Sequence, residues 1–246
     1  MIRIAILIVL FMTAPLLAAT EDGFEPIFDG RTLDGWKTFD PSYWSINDGA
    51  ITATITKEHP LRENRYLIWQ GNARAPQGQM ADFELKLKSR VRGEGVINNG
   101  FQFRSRLLAN GWDIAGYQVD NNLNVGGVSP WLVRLYHEHG RDTLAFRGER
   151  TTFDQNGRAT KEPIKEGSGE PWFKLEEWHE YHLICIGHHL TLKVDGRLAA
   201  EVIDNDPKQF DAQGILGLQL HSGPPTVAQF KDIRVKIIKP AEAPKP

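Results

Sequence analysis

Between residues 97 and 106 the chain reads INNGFQFRSR, and with a period of two the stretch separates cleanly. Phe101 and Phe103 fall on one face; Asn98, Gly100, Gln102, Arg104 and Arg106 fall on the other. Alternation of this kind predicts a β-strand with one apolar side. The pattern recurs along the chain. DFELKLKSRVR sets Phe83, Leu85 and Leu87 against Glu84, Lys86 and Lys88. HEYHLICI and LTLKVDGRLAAEV read as strands, with Asp195-Gly196 as a hairpin turn and Gly49 in NDGA as another. GILGLQLHSG puts Leu216, Leu218 and Leu220 on one side and Gly217, Gln219 and His221 on the other; FKDIRVKII closes the series. No long segment carries a helical period, and no repeat recurs at a fixed spacing. Alternating strands without helices between them predict stacked antiparallel sheets in an all-β sandwich, with Phe101, Phe103, Val119, Leu218 and Leu220 in its core. The segment 107–172, rich in Gly, Asn and charges, is expected to hold long irregular loops, which in a compact domain are usually functional.

The polar faces are unusual. Solvated strands favour Lys, Glu and Thr, whereas INNGFQFRSR presents amides and arginine. GYQVD at 116–120 presents Gln118 and Asp120 opposite Tyr117 and Val119. WLVRLYHEHGR at 131–141 offers Tyr136 and Glu138 on one face, His137 and His139 on the other. LQLHSG adds Gln219 and His221. In one sheet these faces would merge into one surface. A polyhydroxylated ligand needs many directional hydrogen bonds, and Asn98, Gln102, Gln118, Tyr136 and Gln219 supply donors and acceptors for it. Trp112 and Trp131 are candidate platforms for a sugar ring.

Composition narrows the picture. With 246 residues and a hydrophobic fraction of 41%, the chain can build one sizeable core. A formal net charge of -2 gives no electrostatic reason to expect a nucleic-acid partner. Residues 1–19 read as a secretory signal peptide: Arg3 precedes the apolar run Ile4–Met12, which is too short to span a bilayer, Pro15 breaks it, and Leu17-Ala18-Ala19 offers a cleavage site. The expected product is periplasmic or secreted, with no membrane span once the signal is removed. Cys185 is the single cysteine, so no intrachain disulfide forms, and its alternating flanks predict a buried thiol. The tail 239–246 is Pro-rich and expected to be disordered, which leaves 20–238 as one domain.

Three further stretches complete a pattern: FEPIFDGRTLDGWK at 24–37, WSINDGAITAT at 44–54 and GLQLHSGPPTVAQFKDIRVK at 217–236. With INNGFQFRSR, GYQVD and LYHEHGR, they resemble the 3-keto-disaccharide hydrolase domain family, formerly a domain of unknown function, over about residues 24–238. The resemblance implies a concanavalin A-like jelly roll of the lectin/glucanase type. It also implies an exported enzyme that cleaves glycosides oxidised at C3, by hydrolysis or by elimination followed by hydration. Two positions depart from the pattern: Gln118 stands where many members carry glutamate, and His137 where aspartate is common.

That chemistry has physical requirements. A ketone at C3 acidifies the C2 proton, and the enolate formed by its loss expels the C1 substituent. A base, an enolate donor and an acid for the leaving oxygen are needed. Asp120, Glu138 and His221 are the candidates for proton transfer. Arg104, always charged, is the candidate for the enolate oxygen. A divalent cation could replace it, with His137, His139, Asp120 and Glu138 as possible ligands, although their spacing matches no specific metal motif. The alternative is a non-catalytic carbohydrate-binding jelly roll, which needs aromatics and hydrogen-bond partners but no convergent acid and base. An endoglucanase of this fold is disfavoured, because no strand carries its E-x-D-x-x-E acids.

Overall fold

The computed structural model describes residues 23–123, 132–169 and 171–238. Two sheets pack face to face. The first has seven strands in the order Asp142–Phe146, Arg134–Glu138, Ile114–Leu123, Ile97–Leu107, Ile215–Leu220, Arg65–Trp69 and Trp36–Thr38, every neighbour antiparallel. The second has ten and is centred on Phe83–Gly93, His179–Ile186 and Thr226–Ile237. It contains one parallel pair, Glu149–Phe153 beside Arg197–Asp204, because the chain crosses from one sheet to the other at Arg147-Gly148 and joins its new neighbour in the same direction. Among the described residues no helix is long and apolar enough to cross a membrane.

The inward face of each strand is the one that alternation selects. Phe101, Phe103, Val119, Leu218 and Leu220 are completely buried in a shared core with Phe83, Leu85 and Tyr181. A phenylalanine taken fully out of water in this way contributes roughly 2–3 kcal/mol. Cys185 lies in the same core, where burial pushes its thiol pKa up to about 12. Both expected hairpin turns form: Asp195 and Gly196 have φ of 50° and 79°, Asp48 and Gly49 have 50° and 71°, as a two-residue turn between twisted strands requires.

Two expectations change. The segment 107–172 contains five strands, not mainly irregular loops; the four after Ile114–Leu123 have five residues each, and Ala159–Pro163, at the sheet edge, is exposed throughout and so carries no alternation to read. The second change lies inside INNGFQFRSR. Arg104 adopts φ of 46°, the left-handed region that L-residues other than Asn and Asp rarely occupy. There the pairing slips against both neighbours, between Ala115 and Tyr117 on one side and Ile215 and Gly217 on the other. Gly214 makes room for this bulge, since a Cβ at Gly214 would sit 2.3 Å from the Arg104 carbonyl carbon. One residue of slip reverses the facing of a strand. Arg104 therefore leaves the side occupied by Gln102 and crosses toward the ten-stranded sheet. Its Nε donates to the Ala81 carbonyl (2.8 Å), Nη1 to the Gly187 carbonyl (2.8 Å) and Nη2 to Asp82 (3.2 Å).

Candidate functional site

On the outer face of the seven-stranded sheet, register lays the side chains in two rows. One runs Tyr66, Gln219, Gly100, Asp120, Arg134; the next runs Ile68, Gly217, Gln102, Gln118, Tyr136. Gly100 gives the floor its depth. A Cβ at Gly100 would lie 2.7 Å from the Gln118 amide nitrogen and 2.5 Å from the Val119 carbonyl oxygen.

The space above the glycines is filled by a closed ring of hydrogen bonds. Gln102 Nε2 donates to the Tyr66 hydroxyl oxygen (3.2 Å) and to Gln118 Oε1 (3.4 Å). Gln118 Nε2 donates to Gln219 Oε1 (2.9 Å) and to Asp120 (3.4 Å). Gln219 Nε2 completes the ring on the Tyr66 oxygen (3.3 Å). All four ring residues are buried. Asp120 fixes their orientation. Its carboxylate accepts from Arg134 Nε (2.6 Å) and Asn98 Nδ2 (2.9 Å), and it can only accept, so Gln118 must turn its amide nitrogen toward it. The Gln118 oxygen then faces Gln102, and both remaining amide nitrogens face Tyr66. The lone pairs of the Tyr66 oxygen face these two amides, and the Asn64 side chain also hydrogen-bonds to the hydroxyl.

Glu138 is the opposite case to Asp120. It is half-buried and has no hydrogen bond or ion pair to any described residue. Burial raises its pKa; the neighbouring carboxylates Asp113, Asp120 and Asp142 push the same way, against His139. The Glu138 charge in turn helps burial to raise the Tyr66 pKa, so the two groups share one field and Tyr66 stays protonated. Around them, Tyr136 donates to Asp142 (2.9 Å) beneath the Arg134 guanidinium, and His139 pairs with Asp113 (2.8 Å). Tyr66 also forms one wall of a cleft of about 490 Å³, lined further by Phe39, Ile68, Leu107, Trp112 and Ile215. The Arg65 guanidinium lies over both the Trp112 ring (5.1 Å) and the Phe39 ring (5.8 Å).

The surface predicted from sequence therefore exists, with changed membership. Gln102, Gln118, Asp120, Gln219 and Asn98 meet in one network, and Tyr136 and Glu138 stand beside it. Arg104 does not reach it: the bulge turns it away, and its donors are spent on Ala81, Asp82 and Gly187. Asp120 is a clamped acceptor rather than a free base. His221 lies just past the end of its strand, half-buried, with Nδ1 on the Ser222 carbonyl (2.6 Å). Trp112 lines the cleft, and Trp131 lies outside the described residues. The proposed cation ligands are dispersed. His137 is buried and binds Asp211 (3.0 Å), His139 binds Asp113, Asp120 binds Arg134, and among the described residues no cluster of three or more His, Cys, Asp or Glu forms. Sequence reasoning missed Tyr66, Arg65 and Arg134. Arg134 had a signal, since it precedes Tyr136 and Glu138 by steps of two. Tyr66 alternates with Leu67 in RYLIW, but nothing local marks its hydroxyl as special.

Residues 23–236 match the family model of the 3-keto-alpha-glucoside-1,2-lyase-like domain. The chain belongs to this family. No match is found among curated proteins. Among solved structures, the family member resembles a Bacillus subtilis protein of galectin-like fold at TM-score 0.56 and 11% identity, covering 83% of this chain and 90% of that one. It resembles the Crh5 transglycosylase at 0.53 and 15%, covering 89% and 86%. The carbohydrate-binding module CBM66 from Bacillus subtilis aligns at 0.51 and 14%, covering 82% and 95%. At such identities the likeness is one of fold: the two-sheet sandwich that the alternation predicts, of the jelly-roll type that the family resemblance implies.

Proposed function

We propose that this lyase-like domain cleaves glycosides oxidised at C3, with Glu138 as the base and Tyr66 as the donor to the enolate. Membership of the family and the jelly-roll fold support a carbohydrate-related function; the finer reading rests on Glu138. A desolvated carboxylate without a hydrogen-bond partner among the described residues, close enough to a tyrosine hydroxyl to act on its charge, is suited to taking a proton from carbon while the charge moves onto oxygen. Glu138 removes the C2 proton. The C2–H electron pair becomes the C2=C3 bond as the carbonyl π pair moves onto the C3 oxygen, where the Tyr66 O–H donates. The enolate then collapses: C3=O re-forms, the C2=C3 pair shifts to C1=C2, the C1–O bond breaks with its pair leaving on the aglycone oxygen, and water adds across C1=C2 in a separate step. Asp120, Arg134 and the three glutamines hold Tyr66 in the donating orientation. His221, at the far end of the rows, is the candidate to protonate during hydration. We further propose that the protein works outside the cytoplasm, on the strength of the apolar stretch 1–19.

The test is incubation of the purified protein with a 3-keto-glucoside and with its unoxidised parent, with and without chelator, followed by NMR in D₂O. The expected result is cleavage of the oxidised sugar alone, with deuterium entering at C2 in a Glu138-dependent manner. Equal cleavage of the parent, or unchanged turnover in Glu138→Gln, overturns the reading. The exposed ring of Phe39, beside the half-buried ring of Trp112, favours the second reading, a binding module. It predicts tight sugar binding, no turnover, and no effect of Glu138→Gln.

A further inference from the structure

We infer that the cleft beside Tyr66 is an aglycone site shaped for an aromatic leaving group that departs as a phenoxide. The inference rests on the proposed cleavage, and three observations carry it. The first is apolar surface. Phe39 and Leu107, two of only four large hydrophobic side chains exposed among the described residues (63% and 50%), both line this one cleft, together with Trp112, Ile68 and Ile215. Exposed apolar groups gathered in one concavity mark a ligand surface, and about 490 Å³ is within the ~300–1,000 Å³ of small-molecule sites. A second sugar would instead call for the dense amides found on the other side of Tyr66.

The second observation is charge. Among the described residues that line the cleft none is acidic, while Lys37 is part of its wall and the Arg65 guanidinium covers the Phe39 and Trp112 rings. The third is the placing of proton donors. Among the described residues that line the cleft none carries a carboxyl or imidazole side chain, so its wall holds no strong acid for the leaving oxygen. An alkoxide, whose conjugate acid is a weak one, needs such an acid. A phenol, with a pKa near ~10 like the tyrosine side chain, leaves without it. When C1–O breaks, the electron pair settles on the phenoxide oxygen, the two cations stabilise the charge, and the phenoxide takes its proton from water. The aromatic rings of the cleft stack on the departing ring.

The experiment compares kcat/KM for the phenyl glycoside of 3-keto-glucose, as both anomers, with that for a 3-keto disaccharide, in the wild type and in Phe39→Ala and Lys37→Met. The expected aryl preference is about tenfold or more, falling below about threefold in each variant. Equal kcat/KM for the two substrates, or variants that leave the preference intact, overturns the inference. If neither oxidised sugar is cleaved, the parent reading fails instead. Calorimetry with unoxidised phenyl and methyl glucosides then decides the cleft separately: phenyl binding that Phe39→Ala weakens supports it, and phenyl binding no tighter than methyl overturns it.

Discussion

Two buried polar clusters grow from the one strand Ile97–Leu107, a few residues apart. In the first, Arg104 spends all three guanidinium nitrogens on the opposite sheet. In the second, Gln102 feeds a ring that ends at the Tyr66 hydroxyl, within the field of a carboxylate that has no hydrogen-bond partner among the described residues. Both would appear in a list of buried charged and amide residues. What separates them is satisfaction. A network whose every donor has found an acceptor has finished its work in folding. One that leaves a buried acceptor open pays for that in stability, and the openness is where a ligand can act.

The contrast is broken most sharply at Glu138. Glu138→Gln is expected to lower turnover by ~10²–10⁴-fold, the scale of a lost general base, while thermal stability rises. The sign follows from the raised pKa: a carboxyl group that binds its proton more tightly in the folded state favours folding below that pKa and opposes it once ionised. The neutral amide removes that cost at pH 7. A melting temperature below the wild type, in scans at pH 7, would contradict the desolvated Glu138. For the same reason the acid limb of the wild-type pH profile for kcat/KM should lie above the ordinary glutamate range of about 4.3, with activity lost as pH falls through it.

Arg104→Met is the mirror experiment. Breaking a buried pair costs several kcal/mol, and since Asp82 is 25% exposed the expected loss is near ~3 kcal/mol, read by denaturant titration. Turnover of the folded protein should stay within about threefold. A catalytic Arg104 would give the reverse pattern. Tyr66→Phe keeps the ring and removes the proton; a fall of about a hundredfold in kcat is expected, as for a lost oxyanion donor, and a fall in affinity alone would reassign Tyr66 to ground-state binding. The smallest effect belongs to the floor. Gly100→Ala drives a methyl group into the Gln118 amide and the Val119 carbonyl, and should cost ~1–3 kcal/mol of stability as an overpacked site. Unchanged stability there would mean that the ring can shift aside.

Much of this was legible in the chain, and the reason is period. Alternation over Phe101, Phe103, Val119, Leu218 and Leu220 assigned the core side, and so assigned Gln102, Gln118, Asp120 and Gln219 to the other. Alternation fails where the backbone slips. Nothing in FRSR announces a left-handed residue, since arginine has no preference for it, and so Arg104 was expected on the wrong face. Tyr66 was illegible for a different reason. Its importance comes from Gln102 and Gln219, 36 and 153 residues away in sequence, and only strand order brings them to one oxygen. Asp120 and Glu138 looked equivalent as acids because pairing with Arg134, which separates them, is a property of register.

The amide ring also has a statistical side. A glutamine side chain is nearly symmetric in shape, so a packed cluster of three has several orientations that fill space equally well, much as water molecules in ice obey local rules and still leave disorder. Here one carboxylate breaks the degeneracy. Asp120 accepts and cannot donate, and that single constraint propagates through Gln118, Gln102 and Gln219 until the last hydrogen in the series has one direction left. Removing it need not change the shape of the site at all. It would release orientational entropy instead, and the tyrosine at the end would point its hydrogen inward for part of the time, in a protein whose average coordinates look the same.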